Sequence, residues 1–295
     1  MERRTLLTLL LTAPAAAVLA ACGSDDAGAP AQTGDPLPPV TDVTTVPTTL
    51  PDPDQPVTAM LEFGYYGGFT TRDVAFQQQP QVLLTSDGRL ITPAPTIAIY
   101  PGPLVPPANV QTITQEGIDR LLDAARDAGL FADVTYPEHA HVADASTATL
   151  RITVDGETYV HEAYALGIDE SLDELQPEGD RLGAASGLEE FVALLGDIPA
   201  LVGADALGPA EPHRPEAYQL SAVPAGDLSG YELEPTVVEW PTDTGVILAD
   251  AADCTEVDAA QVGELLESAD QLTFFAEDGV TYQVLARPAY PSRSC

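Results

Sequence analysis

The chain has 295 residues, with 46 acidic side chains against 11 basic ones, every basic one an arginine, and a formal net charge of −35. Binding to a nucleic-acid phosphate backbone draws on Lys and Arg, so this balance argues against a nucleic-acid partner, and against a domain lying flat on anionic lipid. The plain reading of such acidity is solubility at an exposed surface.

The first segment is built for processing. Arg3 and Arg4 open it, an apolar stretch runs over 6–20, and Leu19-Ala20-Ala21-Cys22 is followed by Gly23, Ser24, Asp25 and Asp26. Charge, apolar run and small residues in that order mark a secretory signal. The run falls short of the roughly 18–20 residues that cross a bilayer, so residues 1–21 read as a signal peptide and not as a span. The Leu-Ala-Ala-Cys ending resembles the lipobox of bacterial lipoproteins. That resemblance implies a diacylglyceryl group on the Cys22 thiol and a location on the outer face of the cell membrane, with the membrane as partner through the N-terminal lipid. Two acyl chains meet the two-signal requirement for stable anchoring. Arg3-Arg4-Thr5-Leu6-Leu7 also loosely resembles a twin-arginine signal, and the general secretory route stays open beside it.

Residues 22–57 follow, rich in Pro, Thr, Asp and Gly and nearly free of large apolar side chains. Such a segment cannot bury enough surface to offset chain entropy and is expected to be a disordered stalk, extended by its prolines. Of the three cysteines, Cys254 and Cys295 remain once Cys22 carries lipid. In an oxidising compartment they are expected to form a disulfide, and no Cys-x-x-Cys spacing favours a metal pair or a reactive thiol. Closing that loop contributes roughly 4 kcal/mol on the chain-entropy model and ties down the C-terminus.

Globular composition begins near Ala59. Extended segments are expected at 60–66, 82–92 and 110–113, then a helix capped by Thr114 with Ile118, Leu121, Leu122 and Ala125 inward and Gly129 as its stop. A second helix is expected from the Ser186/Glu189 capping-box pattern, burying Leu188, Phe191, Val192 and Leu195. After strands at 217–223 and 237–240, a third helix follows Asp258, with Gln261 completing the box and Val257 and Val262 at staple positions. Asp-Gly pairs at Asp87-Gly88, Asp155-Gly156 and Asp278-Gly279 each lie between β-rich arms and suit type I′ turns. The second sets Val154 opposite Glu157, Ile152 opposite Tyr159 and Leu150 opposite His161; the third sets Phe275 opposite Tyr282. These elements predict an α+β fold: antiparallel sheet built of Asp-Gly hairpins with helices on one face, in two units. The units are 58–203 and a smaller 216–295 closed by the disulfide, joined by a linker at 204–215.

The first half, with its hairpin at Asp87-Gly88, helix end Gly129-Leu130-Phe131, Tyr136, the run Val142-Ala143-Asp144-Ala145-Ser146-Thr147 and second hairpin at Asp155-Gly156, resembles an uncharacterised domain-of-unknown-function family of bacterial lipoproteins. Together with Gly64-Tyr65-Tyr66-Gly67-Gly68-Phe69 and a cysteine-linked tail, it looks like actinobacterial members. The resemblance covers about 63–198 and implies a fold without an assigned activity.

Familiar chemistry finds little footing. There is no Gly-x-Ser-x-Gly elbow, no His-Glu-x-x-His helix and no phosphate loop, although a spatially assembled hydrolytic site stays open as the alternative reading. The acidic run at 169–174 puts Glu174 where a calcium loop needs Gly. His139 and His141, with Asp144 nearby, have chelating spacing but lack a third nitrogen or thiolate in sequence, so no metal and no cofactor is expected. His161 shares a face with Ile152 and Tyr159 and reads as a satisfied core residue, and Asp144-Ala145-Ser146-Thr147 as a turn whose side chains bond nearby N–H groups. Tyr65, Tyr66 and Phe69 are the binding candidates: glycine-flanked aromatics suit close contact with a peptide or glycan, and the bland alternative is packing on a sheet edge. The chain is therefore read as a non-enzymatic binding or interaction module facing an envelope protein, peptide or glycan.

Overall fold

A computed structural model describes residues 56–136, 142–167 and 181–295. Cys22, the rest of the segment up to residue 55, His139, His141 and the 169–174 run lie outside the described residues. The fold is mixed α+β and mostly antiparallel.

One sheet has seven strands: β1 (Ala59–Gly67), β2 (Val82–Thr85), β3 (Arg89–Pro93), β4 (Ala108–Thr112), β5 (Ser146–Val154), β6 (Glu157–Tyr164) and β7 (Glu211–Pro212), in the order β6-β5-β1-β2-β3-β4-β7. The other has five: β8 (Ala217–Pro224), β9 (Thr236–Glu239), β10 (Thr255–Asp258), β11 (Thr273–Glu277) and β12 (Val280–Pro288), in the order β10-β8-β12-β11-β9. Among the described residues only β9 and β11 run parallel, and every other pair is antiparallel. The helices are α1 (Arg72–Gln77), α2 (Gln115–Asp127), α3 (Arg181–Leu195), α4 (Ile198–Val202) and α5 (Ala259–Ser268). Among the described residues no helix is long and apolar enough to cross a membrane.

Local chemistry explains the connections. Between β5 and β6, Asp155 and Gly156 have φ 53° and 82°, and Leu150 pairs with His161. Between β11 and β12, Asp278 and Gly279 have φ 49° and 79°, and Phe275 pairs with Tyr282. Positive φ at both central positions is the type I′ signature. The β2–β3 connection corrects the sequence expectation. Only Gly88 has positive φ, at 74°, and its N–H donates to the Thr85 carbonyl at 3.0 Å. That is a type I turn followed by a left-handed glycine, one residue longer than a type I′ turn. The Thr85 hydroxyl donates to the Asp87 carboxylate, holding Asp87 inside the turn.

Thr114 caps α2 by accepting from Gly117 N at 3.2 Å, and Ile118, Leu121, Leu122 and Ala125 are buried. α3 spans Arg181–Leu195 and so begins ahead of the expected Ser186 cap. At α5, Asp258 accepts from Ala260 N at 2.8 Å, but the Gln261 amide donates to the Asp243 carbonyl and does not close the box.

Strand alternation divides each sheet into two faces. Leu61, Phe63, Val82, Leu84, Leu90, Leu150 and Ile152 face α2, α3 and α4 in one core. Tyr218, Leu220, Ala222, Val284 and Ala286 face α5 in a second. The opposite face of β8 and β12 meets α1 and the C-terminal tail in a seam rich in polar groups. There Arg287 stacks on Phe76 at 4.6 Å and donates to Gln219 Oε1, Arg72 donates to Ser221, and Gln283 donates to Asp73. Helices thus do not confine themselves to one face of the second sheet. From the tail, Tyr290 donates to Gln79 Oε1 at 3.0 Å and Arg293 pairs with Glu62 at 3.2 Å, while Gln219 donates to the Arg293 carbonyl at 2.7 Å. Cys254 and Cys295 sit at disulfide distance, with Cα atoms 5.2 Å apart.

Candidate functional site

β1 distributes the predicted aromatic cluster by its period of two. Tyr65 follows Phe63 onto the helix-covered face and stands edge-on to it, with ring centroids 5.3 Å apart. Tyr66 turns to the seam, where its hydroxyl donates to Glu62 Oε1 at 2.9 Å and the Arg293 guanidinium covers its ring at 4.0 Å. Burial and the Glu62 carboxylate raise the Tyr66 phenol above its ordinary range. Phe69, beyond the strand, is 89% exposed, and its N–H donates to the Asp144 carbonyl at 2.9 Å. Gly67 and Gly68 make that exit possible, with φ 73° and 87°. The three candidates therefore serve three surroundings, and Tyr65 borders a cavity.

That cavity is a cleft of about 480 Å³. Phe63, Val82 and Leu90 supply its floor from the sheet, and Val192, Leu195 and Pro199 a wall from α3 and α4. The polar groups around it are the Tyr65 hydroxyl, Gln81, Thr92 and Gln111. Gln111 Nε2 donates to the Gly208 carbonyl at 2.9 Å, which leaves Oε1 as an acceptor. Tyr65 is 37% exposed, and its phenol is held above its ordinary range first by burial and then by Glu189. The lining holds no carboxylate, imidazole or guanidinium. An apolar base with a few neutral polar groups at this size is the common form of a small-ligand site.

Two other hollows are already engaged or open outward. One of about 490 Å³ contains His213, Tyr290, Arg89 and Arg293. The His213 ring stacks on Tyr290, and burial, with Arg89 nearby, lowers its pKa to about 4. Tyr290 and Arg293 there are committed to Gln79 and Glu62. The other, about 710 Å³, lies along α5 between Arg214 and Glu267, and Glu267 accepts the Tyr218 hydroxyl at 2.9 Å.

The remaining sequence candidates have structural partners. His161 is fully buried. Its Nε2 lies 2.9 Å from the Leu130 carbonyl, which can only accept, so Nε2 donates. In the neutral ring Nδ1 then accepts from the Tyr136 hydroxyl at 2.8 Å, and burial pushes the Tyr136 phenol up to about 12. Asp144 has φ 60°, and its turn is held from outside, contrary to the expected side-chain cap. Tyr164 Oη donates to the Val142 carbonyl and accepts from Ala145 N, both at 3.0 Å. The tyrosine, 20 residues downstream by sequence number, reaches the turn because β6 pairs with β5, where Thr147 faces Tyr164. Among the described residues no group of three His, Cys, Asp or Glu side chains is placed to hold a metal.

Sequence reading missed Gln81, Thr92, Gln111 and Pro199. Gln111 falls in the polar phase of β4 with Asn109, so the sequence alternation gave it no signal. No protein-family model matches this chain, and neither a curated protein nor a solved structure matches it.

Proposed function

We propose that this chain is an exported binding module, held at the outer face of the cell membrane by lipid on Cys22, and that its cleft beside Tyr65 takes a neutral glycan segment of the envelope. The observation that carries the reading is the composition of the cleft: an aromatic edge and apolar floor beside amides and a hydroxyl, with no ionised group in the lining. Sugar rings present a C–H face to an aromatic ring and hydroxyls to amides, whereas catalysis of hydrolysis calls for an acid, base or nucleophile. Leu19-Ala20-Ala21-Cys22 supports the anchor. The same proposal takes residues 22–57 as a spacer and 58–203 and 216–295 as two α+β units built on Asp-Gly hairpins, in the manner of the actinobacterial lipoproteins that the first half resembles.

The test has two arms. Cys22→Ala is expected to leave the precursor uncleaved and without incorporated radiolabelled fatty acid; continued labelling overturns the anchor. Neutral oligosaccharides of cell-wall type are then titrated by calorimetry against the wild type and Tyr65→Ala. Loss of about 1–3 kcal/mol in the variant is expected, the scale of one aromatic contact in a binding site. Equal binding by both, or binding only of uncharged peptides, overturns the glycan assignment.

A further inference from the structure

Among the described residues the second sheet ends in β9, a strand joined to its neighbour on one side only. Thr236 N donates to the Leu272 carbonyl and Trp240 N to the Ala276 carbonyl, so the backbone groups of Thr236, Val238 and Trp240 face β11. By alternation the N–H and C=O groups of Val237 and Glu239 face outward. Val238 packs toward the α5 core, and Val237 and Glu239 lie on the other face, both exposed. Val237 is the register partner of Phe274, over which Tyr231 stands edge-on at 5.5 Å. Exposed Leu233 extends this apolar strip toward the strand's start. Glu232, Glu234 and Glu239 are exposed, and none has an ion pair or hydrogen bond among the described residues.

From this edge we infer a docking site for an extended, cationic segment of a partner protein, added as a further strand beside β9. Open backbone groups supply the recurring part of the recognition, and side chains on alternate positions supply the choice of partner. On the exposed face the incoming strand places an apolar residue across from Val237 and, two residues away, Lys or Arg across from Glu239. A second copy of this chain is the wrong occupant. Edge-to-edge pairing would bring the three carboxylates of each copy together, and the chain has no lysine to relieve them.

The probes are two capped pentapeptides, one alternating Lys and Val and the other alternating Glu and Val, titrated into the full-length protein in detergent. Binding is followed by backbone NMR and amide exchange. The Lys peptide is expected to bind at least about tenfold tighter than the Glu peptide at low salt, with the gap closing in about 0.5 M NaCl, where the Debye length is only a few ångströms. Protection should appear at the Val237 and Glu239 amides. Val237→Pro removes an outward N–H while leaving the β11 ladder intact, and should cost about tenfold or more in affinity. Glu239→Arg, which alters no backbone group, should shift the preference toward the Glu peptide. Tyr65→Ala should change none of this, which keeps the cleft and the edge separately testable. Equal binding of the two peptides, binding of neither, protection elsewhere, or a salt-promoted dimer that protects Val237 and Glu239 would each overturn the inference.

Discussion

Replacing Arg293 by methionine keeps an unbranched apolar stem and removes the guanidinium that joins the tail to the first sheet. Three contacts go with it: the ion pair with Glu62 at 3.2 Å, the hydrogen bond to the Gln78 carbonyl at 2.9 Å, and the stacking on Tyr66 at 4.0 Å. The side chains of Arg293 and Glu62 are only 17% and 8% exposed, so water screens the pair poorly. Leaving one partner of a buried pair uncompensated costs about 3–5 kcal/mol. Here the Tyr66 hydroxyl still donates to Glu62 at 2.9 Å, which places the ionic part near the lower end of that range. Adding about 1 kcal/mol for the lost cation–π contact gives a destabilisation of about 3–4 kcal/mol. Urea unfolding with the Cys254–Cys295 bond intact measures it, as a shift in midpoint at constant slope. Glu62→Gln combined with Arg293→Met removes the orphaned charge as well and should recover about 2 kcal/mol of the loss, a coupling that a double-mutant cycle isolates. A loss under about 1 kcal/mol for the single variant, the value of an exposed pair, would refute the seam as a desolvated contact.

Gly187 lies where α3 crosses the end of α2, and a Cβ built there falls inside the contact distance of the Ala128 carbonyl oxygen. Gly187→Ala should therefore destabilise by about 1–3 kcal/mol despite the better helix propensity of alanine, and a stabilised variant in thermal unfolding would show that the helices part easily. Burial first and Arg89 next lower the His213 pKa from its ordinary 6.5 to about 4. The unfolded chain binds the proton first, so this group's contribution is present above pH 6.5 and is lost as pH falls toward 4. Carboxylates common to both proteins cancel when wild type and His213→Phe are compared, so their stability difference should fall over that window; a pH-independent difference contradicts the burial argument.

What could be read in the sequence was governed by short range. Thr114, Ile118, Leu121, Leu122 and Ala125 lie within four turns of one helix, and their spacing states which face is inward. Leu150 against His161 follows from counting outward from Asp155-Gly156. The start of α3 was not legible, because Ser186 and Glu189 form a capping-box pattern while Ser186 lies inside the helix. α1 was missed: its six residues bury no side chain within themselves, and it exists through Thr71 capping and contacts to β12 more than 200 residues away, such as Arg287 with the Phe76 carbonyl. The cleft was half legible. Tyr65 is legible as an aromatic beside glycine, but its difference from Tyr66 needs the strand's phase, and Gln81, Thr92, Gln111 and Pro199 meet it only through four separate chain segments.

The arginines connect fold and recognition. Arg72 donates to Ser221, Arg89 pairs with Asp87, Arg120 with Glu116 and the Val202 carbonyl, Arg126 with Asp123, Arg287 with Gln219, and Arg293 with Glu62. With 46 acidic side chains against 11 basic ones, and these six arginines engaged within the fold, carboxylates set the surface potential. Such a field has different consequences at the two proposed sites. A neutral ligand at the Tyr65 cleft neither gains nor loses much from it, so its affinity should hardly move with ionic strength. A strand arriving at β9 is drawn in by Glu232, Glu234 and Glu239, so its association rate should fall steeply as salt is added. Salt dependence thus separates the two modes of recognition without any substitution, because the physical difference between them is whether unpaired charge lines the site.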